Sequence, residues 1–399
     1  MNPSAPEKVG VSTERLNRIR PILERYVTEQ KFAGFVTLIA RRGEVVHFEA
    51  VGMSHIEANQ TMQPDTLFRI YSMTKPIASV AMMMLYEEGR FHLDDPISTF
   101  IPGFKDAKVY IRPGITGAEY AHAKPAVTFH HLLTHTAGLS YGWFEDSPVE
   151  ELYRKADVLH RDNTLEAFIQ QLIQIPLLFQ PGTAWRYSVS VDVLGYLVQV
   201  ISGKPFADFL EERIFKPLGM VDTSFYVPQS KLNRFSAVYE PVVGGGIKVM
   251  DAPATSDFLN PGRFPSGGGG LVSTAPDYLR FAQMLLNRGE LDGTRIISPK
   301  TVELMTMNHI PDPLFPLQIG ESLLNGSGFG LGFSVLLNPA QAGILGTRGA
   351  FGWGGMANTQ FWVDPQEQLI GILMTQFIPR DTYPVVDDFR VLTYQALVD

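Results

Sequence analysis

Strand-like segments lie at both ends of this chain, and a long stretch with helical periodicity separates them. Residues 35–40 and 45–51 are apolar runs joined by a short turn, which predicts an antiparallel hairpin. Residues 359–363 and 369–377 predict a second hairpin. Between the hairpins, residues 94–225 are mostly helical in period. This order favours one α/β domain built from both termini, with a helical segment inserted between its halves.

The predicted fold class is therefore α/β of the α+β type, an antiparallel sheet flanked by helices plus an inserted all-helical domain. We assign residues 1–90 and 226–399 to the α/β domain and residues 91–225 to the helical domain. A chain of 399 residues is long enough for such a division. Clefts between domains are preferred sites for small molecules, so we expect the functional site there.

The composition argues against several classes of protein. The formal net charge is −8 and no basic stripe is present, which argues against a nucleic-acid partner. The absence of cysteine removes disulfides, thiol nucleophiles and cysteine-bound metals. Residues 1–8 lack the apolar core of a signal sequence, and no apolar run is long enough to cross a bilayer. We therefore expect a cytoplasmic protein without a membrane partner.

Ser72 and Lys75 form the most informative local motif. A serine hydroxyl is a poor nucleophile at neutral pH and needs a neighbouring base to accept its proton. Residues three apart on a helix lie on one face, so Lys75 can reach the Ser72 hydroxyl. Ser-x-x-Lys is the nucleophile motif of serine β-lactamases and penicillin-binding proteins, although chance supplies such a spacing about once in a chain of this length. The alternative is an ordinary surface pair.

The helix predicted over residues 72–88 would place Ser72 at its amino terminus. Free backbone N–H groups and the positive end of the helix dipole at that position both stabilise a developing oxyanion. The apolar residues between Ile77 and Leu85 predict one buried stripe along this helix. The candidate nucleophile and backbone N–H donors for an oxyanion would then lie at the same end of the helix.

Two further segments carry groups suited to acyl transfer. Tyr187 lies within residues 185–192, and a phenol can act as general base or acid; the alternative is a buried ring whose hydroxyl bonds to the backbone. Paired glycines at Gly354 and Gly355 precede an apolar strand whose edge can offer a backbone N–H to an oxyanion. The alternative for this segment is a simple glycine turn.

Three other patterns compete with this interpretation. Ser140 matches the nucleophile elbow of α/β-hydrolases, but the helical spacing before it is wrong for an elbow, so we interpret it as a chance match. His131 and His135 have a spacing that can hold zinc, yet without an adjacent glutamate we favour packing or capping roles. The glycines at residues 267–270 lack the pattern of a phosphate loop and predict a flexible loop.

In this order, the motifs resemble the class C β-lactamase-like superfamily, with the family VIII carboxylesterases as its nearest members. The resemblance runs from about Phe35 to the carboxyl terminus. Its markers are Ser-x-x-Lys at Ser72, the segment at residues 131–139, the Tyr187 motif and the Trp-Gly-Gly that begins at Trp353. The family fold, a mixed α/β domain around an antiparallel sheet beside a helical domain, agrees with the element order above.

The resemblance implies a role for each of these residues. Ser72 would be the acyl-accepting nucleophile and Lys75 its proton acceptor, while Tyr187 would share the general base and acid duty. The backbone N–H groups of Ser72 and Met356 would form the oxyanion hole, and Trp353 would line the substrate pocket. The remaining implied pocket and support residues are Gly354, Gly355, Tyr141 and Asp192.

Two departures from the lactamase pattern bear on the substrate. β-Lactamases of this type carry Tyr-x-Asn, whereas the third residue here is Val189, and their Lys-Thr-Gly is replaced by a segment that begins with Trp353. Both changes remove polar groups expected to hold the amide and carboxylate of a β-lactam. They favour a neutral, apolar ester.

The resemblance thus implies a metal-independent serine hydrolase that cleaves carboxylic esters with short to medium acyl chains and needs no cofactor. The expected partner is a small ester; the oligomeric state is open, a homodimer being one option. Three alternatives use the same serine: a β-lactamase or D-amino-acid peptidase, an acyltransferase, and a non-catalytic penicillin-binding-like protein.

Overall fold

The computed structural model describes residues 3–114 and 117–399. Its strands are β1 (Gly34–Arg41), β2 (Glu44–His55), β3 (Gln60–Thr61), β4 (Phe68–Arg69), β5 (Lys108–Gly114), β6 (Gly117–His122), β7 (Val238–Pro241), β8 (Ile247–Asp251), β9 (Val272–Ser273), β10 (Glu290–Leu291), β11 (Thr294–Arg295), β12 (Leu317–Ile319), β13 (Ser322–Leu324), β14 (Ser327–Phe329), β15 (Ser334–Leu336), β16 (Phe351–Gly354), β17 (Gln360–Asp364) and β18 (Leu369–Met374). Its α-helices are α1 (Thr13–Leu16), α2 (Ile19–Thr28), α3 (Thr74–Glu87), α4 (Phe129–Leu133), α5 (Pro148–Ala156), α6 (Leu165–Leu172), α7 (Ser190–Ser202), α8 (Phe206–Leu210), α9 (Lys216–Leu218), α10 (Ala275–Leu286), α11 (Pro299–Met305), α12 (Pro339–Ala342) and α13 (Val385–Tyr394).

Eight of these strands form the main sheet, in the order β14-β15-β16-β17-β18-β1-β2-β3. Every neighbouring pair is antiparallel. At the centre, β1 pairs with β2 on one side and with β18, from the far end of the chain, on the other. The predicted α/β class with an antiparallel sheet built from both termini is confirmed.

Both faces of the sheet are covered, which explains why its central strands are apolar at nearly every position. Val36 and Leu38 of β1 belong to the core that includes α3 and α10, whereas Phe35 and Ile39 belong to the core that includes α2 and α13. Successive side chains of a strand point to opposite faces, so a sheet packed on both sides reads as a continuous apolar run.

Helix α3 is buried around its whole circumference. Every residue from Thr74 to Leu85 is buried, so the prediction of a single apolar stripe was too narrow. The helix packs against α7, and a 3₁₀ turn at Tyr71–Met73 leads into it, which moves its start from Ser72 to Thr74. A helix enclosed on all sides holds its first turn firmly in place.

The segment predicted as all-helical also contains a hairpin, so that part of the prediction was wrong. Strands β5 and β6 pair from Lys108 opposite His122 to the tip. Val109 is buried but Ile111, two residues further on, is exposed, and a register shift between Tyr110 and Arg112 interrupts the alternation expected of a strand. This short pattern is easily missed inside a stretch with mostly helical spacing. Among the described residues, no helix has the length and apolar character required to cross a membrane.

The packing of the main sheet can be tested at Gly371 of β18, which lies against the Trp362 ring. A Cβ at Gly371 would overlap the ring, so Gly371→Ala should lower the free energy of unfolding by about 1–3 kcal/mol, measured by chemical denaturation. Gly262→Ala is the control, because the nearest atom to its added Cβ is Asn260 Oδ1 at 3.4 Å. Equal stabilities for the two variants would contradict this packing.

Candidate active site

A cavity of about 690 Å³ contains most of the predicted site residues in its wall. This volume is typical of small-molecule sites. Lys75 and Asp192 lie behind the wall and are almost completely buried. The predicted residues that line the cavity are Ser72, Tyr141, Tyr187, Trp353, Gly354, Gly355 and Met356.

The Ser72 turn has a strained backbone that several contacts hold. Tyr71 has a φ of +41°, a left-handed conformation that costs a residue other than glycine about 1–3 kcal/mol. The Met73 N–H donates to the Ile70 carbonyl at 2.9 Å, and the Tyr278 hydroxyl donates to the Met73 carbonyl at 2.8 Å. The strain is therefore located beside the candidate nucleophile.

Lys75 contacts the Ser72 hydroxyl directly. Its Nζ lies 3.2 Å from Ser72 Oγ and 2.6 Å from the Gly268 carbonyl oxygen, and the side chain is only 1% exposed. The same Nζ lies 4.4 Å from the ring centroid of Tyr187 and 5.3 Å from that of Tyr141. These contacts leave Lys75 one orientation, toward the serine.

Tyr187 is hydrogen-bonded to another predicted residue of the pocket. Its hydroxyl accepts a hydrogen bond from Trp353 Nε1 at 3.1 Å. Within the described residues, no hydrogen bond joins this hydroxyl to Ser72 or Lys75, although the Tyr187 ring packs beside Lys75. Because the oxygen accepts from the indole, the phenol hydrogen is free to point toward another acceptor in the cavity.

The 267–270 loop was predicted to be flexible, and that prediction is wrong at Gly268. Its carbonyl accepts from Lys75, and its N–H donates to Asp192 Oδ1 at 3.0 Å. Ser266 Oγ donates to the same carboxylate oxygen. Burial raises the pKa of Asp192 above its usual range, while the charge of Lys75 and these two hydrogen bonds oppose the rise. Asp192 therefore holds the loop that orients Lys75.

Tyr141 contributes a packed ring next to this network. It stacks on Trp143, with ring centroids 4.7 Å apart, and its ring centroid is 5.5 Å from that of Tyr187. Burial raises the pKa of Tyr141 well above its usual value, and the neighbouring Tyr187 and Asp192 add to that effect. Tyr141 therefore remains a neutral phenol at physiological pH.

The backbone N–H groups of Ser72 and Met356, two residues of the cavity wall, have no protein acceptor among the described residues. Met356 lies in the turn between β16 and β17, and this turn approaches the serine turn closely, because a Cβ at Gly355 would lie 2.5 Å from the Ile70 carbonyl oxygen. The Gly355 N–H donates to the Thr359 carbonyl at 2.8 Å, which closes the turn. This is the arrangement expected of an oxyanion hole.

Sequence reasoning missed Arg380, which contacts the same peptide. Arg380 Nη1 donates to the Gly355 carbonyl at 2.8 Å and to the Thr359 carbonyl at 3.2 Å. The Gly355 carbonyl and the Met356 N–H belong to one planar peptide unit. A charge-assisted bond at the carbonyl end orients and polarises the N–H at the other end. No local motif marks an arginine whose partner is a backbone oxygen.

The rival residues lie elsewhere or are engaged in packing. Ser140 is buried, and its hydroxyl donates to Glu150 rather than facing the cavity. His131 caps α4, its Nδ1 accepting from the Thr128 N–H at 3.2 Å. His135 Nδ1 lies 3.2 Å from Ser188 Oγ. Within residues 3–114 and 117–399, no three side chains of His, Asp or Glu lie close enough together to hold a metal ion.

The comparisons with known proteins agree with this geometry. A family model described as Beta-lactamase matches residues 19–395, which is nearly the whole chain. The chain belongs to the β-lactamase family of serine hydrolases. The family-level resemblance drawn from the motifs at Ser72, Tyr187 and Trp353 is thereby confirmed.

Its relatives include proteins of several activities. Protein Rv1367c of Mycobacterium tuberculosis is 36% identical over 355 residues, which cover 87% of this chain and 86% of the relative. Esterase EstB of Burkholderia gladioli is 32% identical over 377 residues, covering 90% and 89%. The structure of EstCE1, described as a hydrolase with promiscuous acyltransferase activity, has a TM-score of 0.81 at 27% identity and covers 96% of this chain and 99% of EstCE1.

Arg380 can be tested without assuming a substrate. Arg380→Gln should slow the labelling of Ser72 by a fluorophosphonate ester about tenfold, because the oxyanion donor at Met356 loses its orientation. Mass spectrometry over time gives the rate. Arg90→Gln is the matched control, since Arg90 also donates to a carbonyl, that of Ile201 at 2.7 Å, and lies outside the cavity wall. Equal rates for both variants would contradict a positioning role.

Proposed function

We propose that this protein is a carboxylesterase that cleaves esters with short to medium acyl chains through an acyl-enzyme at Ser72. The observation that carries the proposal is the 3.2 Å contact between Lys75 Nζ and Ser72 Oγ at the wall of a cavity of about 690 Å³. A serine in direct contact with a basic side chain is the arrangement that nucleophilic catalysis requires.

In the first step, Ser72 Oγ attacks the ester carbonyl while Lys75, in its amine form, accepts the hydroxyl proton. The carbonyl oxygen becomes an oxyanion and receives hydrogen bonds from the N–H groups of Ser72 and Met356. Because these donors are fixed before the reaction, stabilising the oxyanion requires little reorganisation. Arg380 supports this step through its hydrogen bond to the Gly355 carbonyl.

In the second step, the alcohol leaves and needs a proton. Tyr187 is suited to donate it, because its oxygen accepts from Trp353 and its own hydrogen is free. Tyr187 then recovers a proton from the protonated Lys75. The net result of acylation is therefore one proton moved from Ser72 to the leaving alcohol. Water then takes the place of the alcohol, and the same groups work in reverse to release the acid.

The wall around Trp353 supports an ester rather than a lactam. Val189 is completely buried and Trp353 is 8% exposed with its N–H bonded to Tyr187, so neither presents a free polar group to a substrate amide. The substrate groups that pack against the wall at Trp353 are therefore expected to be uncharged and apolar. Relatives named Esterase EstB and Lovastatin esterase, the latter from Penicillium rubens at 27% identity, support this choice.

Acyl transfer to an alcohol is a second candidate, supported by the description of EstCE1 as having promiscuous acyltransferase activity. The chemistry is the same up to the acyl-enzyme, which an alcohol then attacks in place of water. Adding a nucleophilic alcohol to the esterase assay would divert product from the acid to a new ester if transfer occurs.

The nucleophile is tested by two serine variants. Ser72→Ala should abolish hydrolysis of a nitrophenyl ester, because no acyl-enzyme can form, whereas Ser140→Ala should largely spare the rate. Circular dichroism and thermal midpoints serve as folding controls. The reverse result would assign the chemistry to Ser140.

The alternative activities are tested with other substrates. A chromogenic cephalosporin cleaved faster than the ester would favour a β-lactamase, and a stoichiometric burst without turnover would favour a penicillin-binding-like protein.

The proton donor is tested at Tyr187. Tyr187→Phe should lower kcat about a hundredfold, because the leaving alcohol loses its acid while the ring packing stays. Tyr196→Phe is the control, since it removes a hydroxyl that bonds to Glu166 at 2.8 Å and lies outside the cavity wall. A near-normal kcat for Tyr187→Phe would leave Lys75 alone in proton transfer.

A further inference from the structure

Arg263 lies in the cavity wall and forms no ion pair with an acidic side chain of the described residues. The guanidinium carbon of Arg263 lies 3.8 Å from the ring centroid of Phe258. Its Nη1 makes one long hydrogen bond, 3.3 Å to the Gly270 carbonyl, and its buried Nε has no acceptor. Among the described residues, no Asp or Glu oxygen lies within ion-pair distance of it. An arginine has five N–H donors in a rigid fork, and most of those of Arg263 are unused.

The nearby carboxylates are already occupied. Asp251 lies 2.8 Å from Arg69 Nε, and Asp257 pairs with Arg161. Arg263 therefore has no ion pair of its own, although the charges of Asp251 and Asp257 favour its charged form and that of Arg69 opposes it. Burial lowers the pKa of Arg263, which shows that its surroundings penalise the charged form. An anion bound in the cavity would offset that penalty.

Arg263 is connected to the reacting groups on two sides. Gly270, its hydrogen-bond partner, follows Gly268, whose carbonyl binds Lys75. Phe258, under its guanidinium, packs edge-on against Tyr71, the residue before Ser72, with ring centroids 6.2 Å apart. Ser72 and Arg263 also line the same cavity, so both are accessible to a molecule bound there.

We propose that Arg263 binds a carboxylate carried by the substrate, so that the preferred esters have an acidic group in addition to the ester bond. Half-esters of short dicarboxylic acids have this chemistry, and so do hydroxy acids that are acylated on the hydroxyl and keep a free carboxylate. The inference rests on the proposed esterase activity and narrows its substrate class. It also limits the expectation of a wholly neutral ester: the wall at Trp353 is apolar, but the wall at Arg263 carries a charge.

The test compares matched charged and uncharged esters. The nitrophenyl half-ester of glutaric acid places the carboxylate on the acyl side, and nitrophenyl valerate is its uncharged counterpart. For the alcohol side, 4-acetoxybenzoate is compared with phenyl acetate. Arg263→Gln should lower kcat/KM for one charged ester at least tenfold more than for its uncharged partner. Arg263→Lys, which keeps the charge, should recover part of this difference.

Arg288→Gln is the charge-matched control. Arg288 is exposed and lies 3.7 Å from Glu303, so its removal changes the net charge equally without changing the cavity. It reports any effect of long-range attraction between protein and substrate. If Arg263→Gln lowers kcat/KM equally for charged and uncharged esters, Arg263 only supports the loop and the proposal is wrong. The pair of esters whose kcat/KM ratio changes in Arg263→Gln shows whether the carboxylate is on the acyl side or the alcohol side of the preferred substrate.

A binding measurement separates this proposal from the esterase proposal. Calorimetry of glutarate with Ser72→Ala should show binding that Arg263→Gln weakens at least tenfold in the double variant. Glutarate binding without ester turnover by the unmodified protein would overturn the esterase proposal and keep the anion site. Turnover of nitrophenyl valerate without any glutarate binding that depends on Arg263 would overturn the anion site and keep the esterase.

Discussion

The buried contact of Lys75 with Ser72 and Gly268 is the interaction on which the site depends. One nitrogen joins the first turn of α3 to the 267–270 loop, and it lies beside the rings of Tyr141 and Tyr187. A buried polar nitrogen is costly unless its partners are fixed, so the surrounding structure must hold them. The enclosed helix α3 and the carboxylate of Asp192 do this from opposite ends of the contact.

The parts of the site that the sequence could predict are those with local chemistry. Ser72 and Lys75 are one helical turn apart, so their spacing alone indicates a contact. Tyr187 and Trp353 were found because motifs in a fixed order resemble a family, and their mutual hydrogen bond had no local signal. The main sheet was predictable because period and turn residues are also local. The hairpin of β5 and β6 was missed because its alternation is interrupted and it lies within a mostly helical region.

The parts that could not be predicted involve backbone atoms and missing partners. Gly268 acts through its carbonyl and N–H, and every residue has those groups. Arg380 bonds to carbonyls contributed by another segment of the chain. Arg263 forms no ion pair, which only the full set of neighbouring charges reveals. Such features emerge when distant segments meet, and residue type does not encode them.

The central pairing of β1 with β18 also constrains how this protein is made. Ser72 and the loop that binds Lys75 are translated far apart, and the turn that carries Met356 comes later still. During synthesis, β1 and β2 can form their hairpin early, but one edge of β1 stays open until β18 leaves the ribosome. Open edges invite wrong partners, and pairings between distant segments form slowly. The catalytic centre is therefore among the last parts of the molecule to exist.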